Sequence, residues 1–144
     1  MNKMHLKFLC KEENDAFART CVSSFIMPLD PTLEDLMEIK TIVSEAVVNA
    51  MIHGYEYDES KYISIECGYE KDLLTIIIGD EGKGIEDIEL AKQPLYTTKE
   101  DLERSGMGLT IIENFADSLD IISAKDKGTQ IVVQKQLNKN GINK

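Results

Sequence analysis

The sequence is short of the residues that several protein classes require. Its three cysteines, Cys10, Cys21 and Cys67, are odd in number and include no CxxC pair. Neither a disulfide framework nor a zinc site is indicated, and reduced, partly buried thiols are expected. No apolar run approaches the roughly 18 residues that a membrane span needs. The opening MNKMHLKFLCKEEND lacks a long apolar stretch and a small-residue cleavage site, so no secretion signal is expected and the chain reads as cytoplasmic. Cations are scarce as well: 16 Lys and Arg stand against 26 Asp and Glu, a formal net charge of -10. That balance argues against non-specific nucleic-acid binding, which needs clustered Lys and Arg. It suits solubility or a basic protein partner. Internal repeats, low-complexity tracts and linkers are missing too, so the 144 residues read as one domain, 1–137, with a polar tail over 138–144.

What is present alternates between helical and strand patterning. MHLKFL (Met4 to Leu9) alternates as a short first strand. From Glu12 to Met27, the apolar Phe17, Ala18, Cys21, Val22 and Phe25 form a helical stripe ending before Pro28. Asp30 and Pro31 offer an N-cap and a first helical position for a second helix from about Leu33 to His53, closed by Gly54. YISIECGYE and LLTIIIGD predict two strands joined tightly at Lys71 and Asp72, the second apolar enough to be central and covered. A helix over Leu109 to Leu119, a strand DIISAK, a turn Asp126-Lys127-Gly128 and a last strand TQIVVQKQL complete the pattern. Strands and helices in runs, without strict alternation, indicate α+β, with helices layered on one face of a mainly antiparallel sheet.

Three polar residues interrupt the apolar end of the second helix. In SEAVVNAMIHGYE, Glu45, Asn49 and His53 recur every fourth residue, so on a helix they share one narrow strip. A carboxylate that can take a proton lies one turn from an amide oxygen, a hard ligand of the kind magnesium accepts. Spacing alone allows a plain solvent-facing strip as readily. Two glycine pairs follow: GDEGKGI, with Asp80, Gly82 and Gly84 after an apolar strand, and SGMGLTII, with Gly106 and Gly108 before a helix. Glycines permit close backbone approach to a ligand, and helix N-terminal amides receive anions. Each pair alone could be only a turn. Neither is a Walker motif, lacking Gly-Lys followed by Ser or Thr, nor a GxGxxG, lacking the third glycine.

Taken together, these motifs resemble the GHKL, or Bergerat-fold, ATP-binding superfamily, and within it the bacterial anti-sigma serine kinases, the sporulation member above all. SEAVVNAMIHG resembles the superfamily's N box, DEGKGI and SGMGL its two glycine boxes, and DKGTQIVV its terminal Gly-Thr segment. The match covers nearly the whole chain. The resemblance implies a two-layer Bergerat sandwich with a mixed, mainly antiparallel sheet, binding ATP with Mg2+. Asp80 would accept the adenine amino hydrogen, with Thr129 supporting the base directly or through a water. Asn49 would ligate the magnesium, and Glu45 would be the general base. Gly82, Gly84, Gly106, Met107, Gly108 and Leu109 would line the nucleotide. A lid from about Gln93 to Gly106 would bring Arg104 to the terminal phosphate, with Lys99 assisting; either could equally be a surface charge, and for Lys99 that is the favoured reading.

The resemblance further implies a homodimer that sequesters a sigma factor and phosphorylates a serine on an anti-anti-sigma protein, without direct nucleic-acid or membrane binding. Arg19 is the candidate partner contact, with an ion pair to Asp15 as the alternative. Gyrase, MutL and Hsp90 need further domains, and sensor kinases a helical hairpin carrying a phosphorylated His, so a free-standing kinase domain is the expectation. A stress-response relative with the same chemistry and a purely nucleotide-dependent binding module remain alternatives. Glu45 separates the latter, since a pure binder needs no base.

Overall fold

The computed structural model describes residues 1–85, 92 and 108–139. Among these residues, five strands and three α-helices run in the order β1 (Asn2–Leu9), α1 (Glu13–Ile26), α2 (Leu33–Asn49), β2 (Tyr62–Glu70), β3 (Leu73–Asp80), α3 (Gly108–Phe115), β4 (Ser118–Ser123) and β5 (Thr129–Gln136). The sheet order is β1-β2-β3-β5-β4, so β3 is central as its apolar run predicts. Every strand pairing among the described residues is antiparallel, where a mixed sheet was expected. The helices cover one face. Alternate residues of the strands, Ile63, Ile65, Leu74, Ile76, Ile78, Ile131 and Val133, turn into that layer and are buried against Val22, Ile39, Val43 and Val47. The other face of β3 keeps Thr75 and Ile77 partly accessible, so the strand is covered on one side only.

Local chemistry explains where the elements begin and end. Helix α2 is capped by Thr32, not Asp30: the Thr32 hydroxyl accepts the Asp35 N–H at 3.0 Å, the usual reach from an N-cap to the third helical residue. Asp30 instead closes a short 3-10 turn over Met27–Leu29 with φ of 50°, a left-handed position that Asp tolerates better than most residues. In α1 the buried stripe is Ala18, Val22 and Ile26, whereas Phe17 is 48% exposed and lies off it. Helix α3 stops four residues before the patterned stretch does. Asp117 N–H already donates to Gln134 O at 2.9 Å, and pairing with β5 claims Ser118 and Leu119 as strand.

The far edge of β5 is tied back to the start of α2. Lys135, 5% exposed, donates to Glu38 Oε1 at 2.7 Å and to Phe115 O at 2.8 Å, which satisfies a charge that burial would otherwise penalise. Asn138, at the head of the expected polar tail, is buried, donating its N–H to Asp35 Oδ2 and its amide to Leu29 O. Residues 140–144 lie outside the described residues. The cysteines are free thiols, and burial pushes Cys10 up to about 11 and Cys67 up to about 12, so both stay protonated and poorly nucleophilic. Among the described residues, no helix is long and apolar enough to cross a membrane.

Candidate functional site

One end of the layered structure gathers the ends of α2, β3 and β4 with the starts of α3 and β5. Three side chains form a row across the sheet there. Asp80 on β3 is the register partner of Thr129 on β5, which in turn is the partner of Ser123 on β4. Directly opposed residues of antiparallel strands present side chains to the same face, here the helix-covered one, the face of Ile78 and Ile131. Asp80 therefore ends an apolar strand with its half-buried carboxylate on the helix-covered face. Burial raises its pKa from 3.8 to about 6, although N–H bonds from Gly82 and Thr129 oppose the shift. The Gly82 N–H reaches Asp80 Oδ1 at 2.8 Å.

Backbone fits closely around this carboxylate. Gly54 lies against it, such that a Cβ there would sit 2.7 Å from Asp80 Cγ. Gly82 in turn packs on Gly54, where a Cβ would come within 2.0 Å of the Gly54 carbonyl oxygen. Any side chain at Gly82 must therefore displace the segment that backs Asp80. The close approach follows from how α2 ends. The α-helix stops at Asn49 and continues as a single π turn over Ala50–Gly54, closed by Tyr55 N–H donating to Ala50 O at 3.0 Å. A wider turn of this kind often marks a functional site, and it takes His53 off the strict four-residue repeat that links Glu45 to Asn49.

Glu45 and Asn49 stay on regular α-helix, half-buried, one turn apart. Glu45 reaches across to α3: a Cβ on Gly108, the first residue of that helix, would lie 3.2 Å from Glu45 Oε2. A carboxylate at the start of a helix is favoured by the dipole, and the free amides there also receive phosphate oxygens. Leu109, next in line, is buried and serves the core. The site thus combines an acceptor pair at the sheet end with a carboxylate, a carboxamide oxygen and helix amides beside it, a layout suited to a polar flat group and an anionic tail.

Residues 15–135 match the model of the histidine kinase-like ATPase domain. The anti-sigma F factor of Clostridium perfringens (strain ATCC 13124) is 58% identical over 137 residues, covering 95% of this chain and 98% of the relative. The chain belongs to the anti-sigma F factor family. The Oceanobacillus iheyensis member is 56% identical, over 96% of this chain and 94% of that one. The fold, the GHKL or Bergerat sandwich, is also that of a solved structure of the RsbU and RsbW domains of a Mycobacterium tuberculosis protein. Its TM-score is 0.69 at 16% identity, over 95% of this chain and 32% of that chain.

Of the residues singled out from the sequence, the structure gathers Glu45, Asn49, Asp80, Gly82, Gly108 and Thr129 at one end of this family fold. Gly84 is held nearby with φ of 76°, where a Cβ would meet the Ala124 carbonyl oxygen at 1.9 Å. Lys99, Arg104, Gly106 and Met107 lie outside the described residues. Arg19 lies on α1, where its Nη2 stands 3.8 Å from Asp15 Oδ2 while 40% of its side chain remains accessible, and the same Asp15 oxygen accepts the Ser44 hydroxyl at 3.1 Å. Two supporting residues were not singled out. Tyr55 donates its phenol to Tyr62 O at 2.6 Å and accepts the Glu81 N–H at 2.7 Å, bracing the chain just after Asp80. Ser123 closes the row beside Thr129. A phenol directly after His-Gly was visible but carried no motif. Ser123 could be found only through its strand register, which the sequence does not give; the strand itself is read from Asp120, two residues late.

Proposed function

We propose that this chain is an anti-sigma factor and a protein serine kinase, which sequesters a sporulation sigma factor and uses ATP with Mg2+ to phosphorylate a serine on an anti-anti-sigma antagonist. The observation that carries the reading is the approach of Glu45 to the first residue of α3, at the end of the fold where Asp80 awaits a base. A nucleotide with its base at Asp80 and its phosphates toward the α3 amides has its terminal phosphate near a carboxylate. A pure binding site has no use for that carboxylate, because it repels the phosphates it adjoins. As a general base it has a role. The names of the relatives support the sigma-binding half of the reading.

In this reading the adenine amino group donates to ionised Asp80. Asn49 would hold the magnesium through its carboxamide oxygen. Among the described residues no group of three or more His, Cys, Asp or Glu could hold a metal, and one amide oxygen beside one carboxylate suits a cation that draws its other ligands from phosphates and water. When bound, the ion supplies neutralisation of phosphate charge. Glu45 takes the proton of the antagonist's serine hydroxyl as the serine oxygen bonds to the γ-phosphorus. The bond from that phosphorus to the β–γ bridging oxygen breaks and ADP leaves. Arg104 and Lys99 are proposed to meet the terminal phosphate and Arg19 to contact a protein partner.

The proposed partners are the sigma factor, the antagonist and a second copy of the chain, in the cytoplasm. Co-elution by size exclusion tests the sequestering half. With MgATP the chain and its sigma factor are expected to migrate as one complex, and unphosphorylated antagonist is expected to release the sigma factor. A sigma factor that never co-elutes, with or without nucleotide, contradicts it.

A further inference from the structure

The Ser123 hydroxyl makes three polar contacts at this end of the sheet. It lies 2.8 Å from the Ile85 N–H, 2.9 Å from Gly128 O and 2.8 Å from Thr129 Oγ1. A serine hydroxyl has one hydrogen to donate and two lone pairs to accept with. The Ile85 N–H can only donate, so it takes one lone pair. The Gly128 carbonyl can only accept, so it takes the hydrogen. The third contact is then satisfied in one way: the Thr129 hydroxyl donates into the remaining lone pair of Ser123. Turning the Ser123 hydrogen toward Thr129 instead would leave the carbonyl of buried Gly128 without this donor, a costly exchange in a buried position.

We infer that Ser123 is a specificity-determining positioning residue, which commits the Thr129 hydrogen to itself and so leaves the Thr129 oxygen to face the nucleotide base as an acceptor only. The inference rests on the proposed placement of the base at Asp80 and Thr129. Ionised Asp80 is also acceptor-only, and it is the register neighbour of Thr129. The row therefore offers two adjacent acceptors. An exocyclic amino group, with two hydrogens, matches them. A 6-keto base brings an acceptor against acceptors and is rejected, as sites built from committed hydrogen-bonding groups reject the wrong partner. Without Ser123, the Thr129 hydroxyl is free to rotate and donate to a keto oxygen.

The test compares ATP with inosine triphosphate, whose base carries a keto oxygen in place of the amino group, by titration calorimetry on the full chain. Ser123→Ala is expected to lower the ATP preference about 3- to 10-fold, one hydrogen bond's worth. Thr129→Val is expected to lower it too, and adding Ser123→Ala on that background is expected to change the ratio no further. An unchanged ratio in folded Ser123→Ala overturns the inference. So does an equal effect of Ser123→Ala with and without the Thr129 hydroxyl, because the serine would then act through Ile85 or Gly128. If Ser123→Ala does not fold, Ser123→Cys keeps the volume with a far poorer acceptor and is judged by the same ratio. A wild-type chain that binds neither nucleotide overturns the proposed function, and this inference with it. Wild-type binding with the wrong response in the variants overturns this inference alone.

Discussion

Glu45→Gln is expected to bind ATP within a few-fold of the wild type and to transfer phosphate about 100- to 10,000-fold more slowly, the usual worth of a positioned general base. The amide has nearly the same shape, so the approach of residue 45 to Gly108 persists, while the ability to take the serine proton goes. Loss of a negative charge beside the phosphates would, if anything, tighten binding. Calorimetry with ATP and a single-turnover transfer assay separate the two effects. Near wild-type transfer would refute the role of Glu45 as base. Loss of ATP binding would make the residue a support for the start of α3.

Asp80→Asn is expected to weaken ATP binding about 10- to 100-fold, in line with the loss of a hydrogen bond to a charged acceptor, while making the empty protein more stable at neutral pH. The carboxyl is pushed up from 3.8 to about 6, chiefly by burial. The folded chain therefore holds this proton more tightly than the unfolded chain. The contribution to stability is full below the unfolded value of 3.8 and is lost as pH rises through about 6. At pH 7.5 the ionised carboxylate thus costs on the order of 3 kcal/mol relative to its protonated form. The amide avoids that cost. Thermal melts should show the variant ahead at pH 7.5 and the advantage gone near pH 4. ATP affinity of the wild type should fall below about pH 6, where Asp80 gains a hydrogen and ceases to be acceptor-only. A variant that melts lower at neutral pH, or binds ATP as well as the wild type, contradicts this account of Asp80.

These two residues were legible in the sequence, for different reasons. Asp80 stood out because a carboxylate ends an apolar strand and two glycines follow. Glu45 stood out only once the glycine pairs gave its strip something to face. The central place of β3 followed from its apolar run, although its cover on one face only did not. The π turn after Asn49 was not legible, because helical periodicity records which side chains are apolar and says nothing of carbonyl partners. That turn arises from tertiary fit, the packing of Gly54 between Asp80 and Gly82. The end of α3 was misread for a similar reason: LTIIENFADSL is apolar at either period, and pairing with β5 settles Ser118 and Leu119 as strand. Ser123 fell inside the strand read from the sequence, but its contacts depend on the pairing with Thr129, which no periodicity gives. Phe17 fitted the stripe of α1 by spacing, yet Ile26 holds that edge of the core instead.

The central claim is phosphoryl transfer to a serine of another protein, and mass spectrometry of that protein tests it most directly. The chain is incubated with MgATP and the unphosphorylated antagonist, and the antagonist is then digested and sequenced. A single phosphoserine that forms with the wild type and not with Glu45→Gln is the expected result. An antagonist that remains unmodified while the chain binds ATP and holds its sigma factor would contradict the claim and leave a nucleotide-dependent binding module.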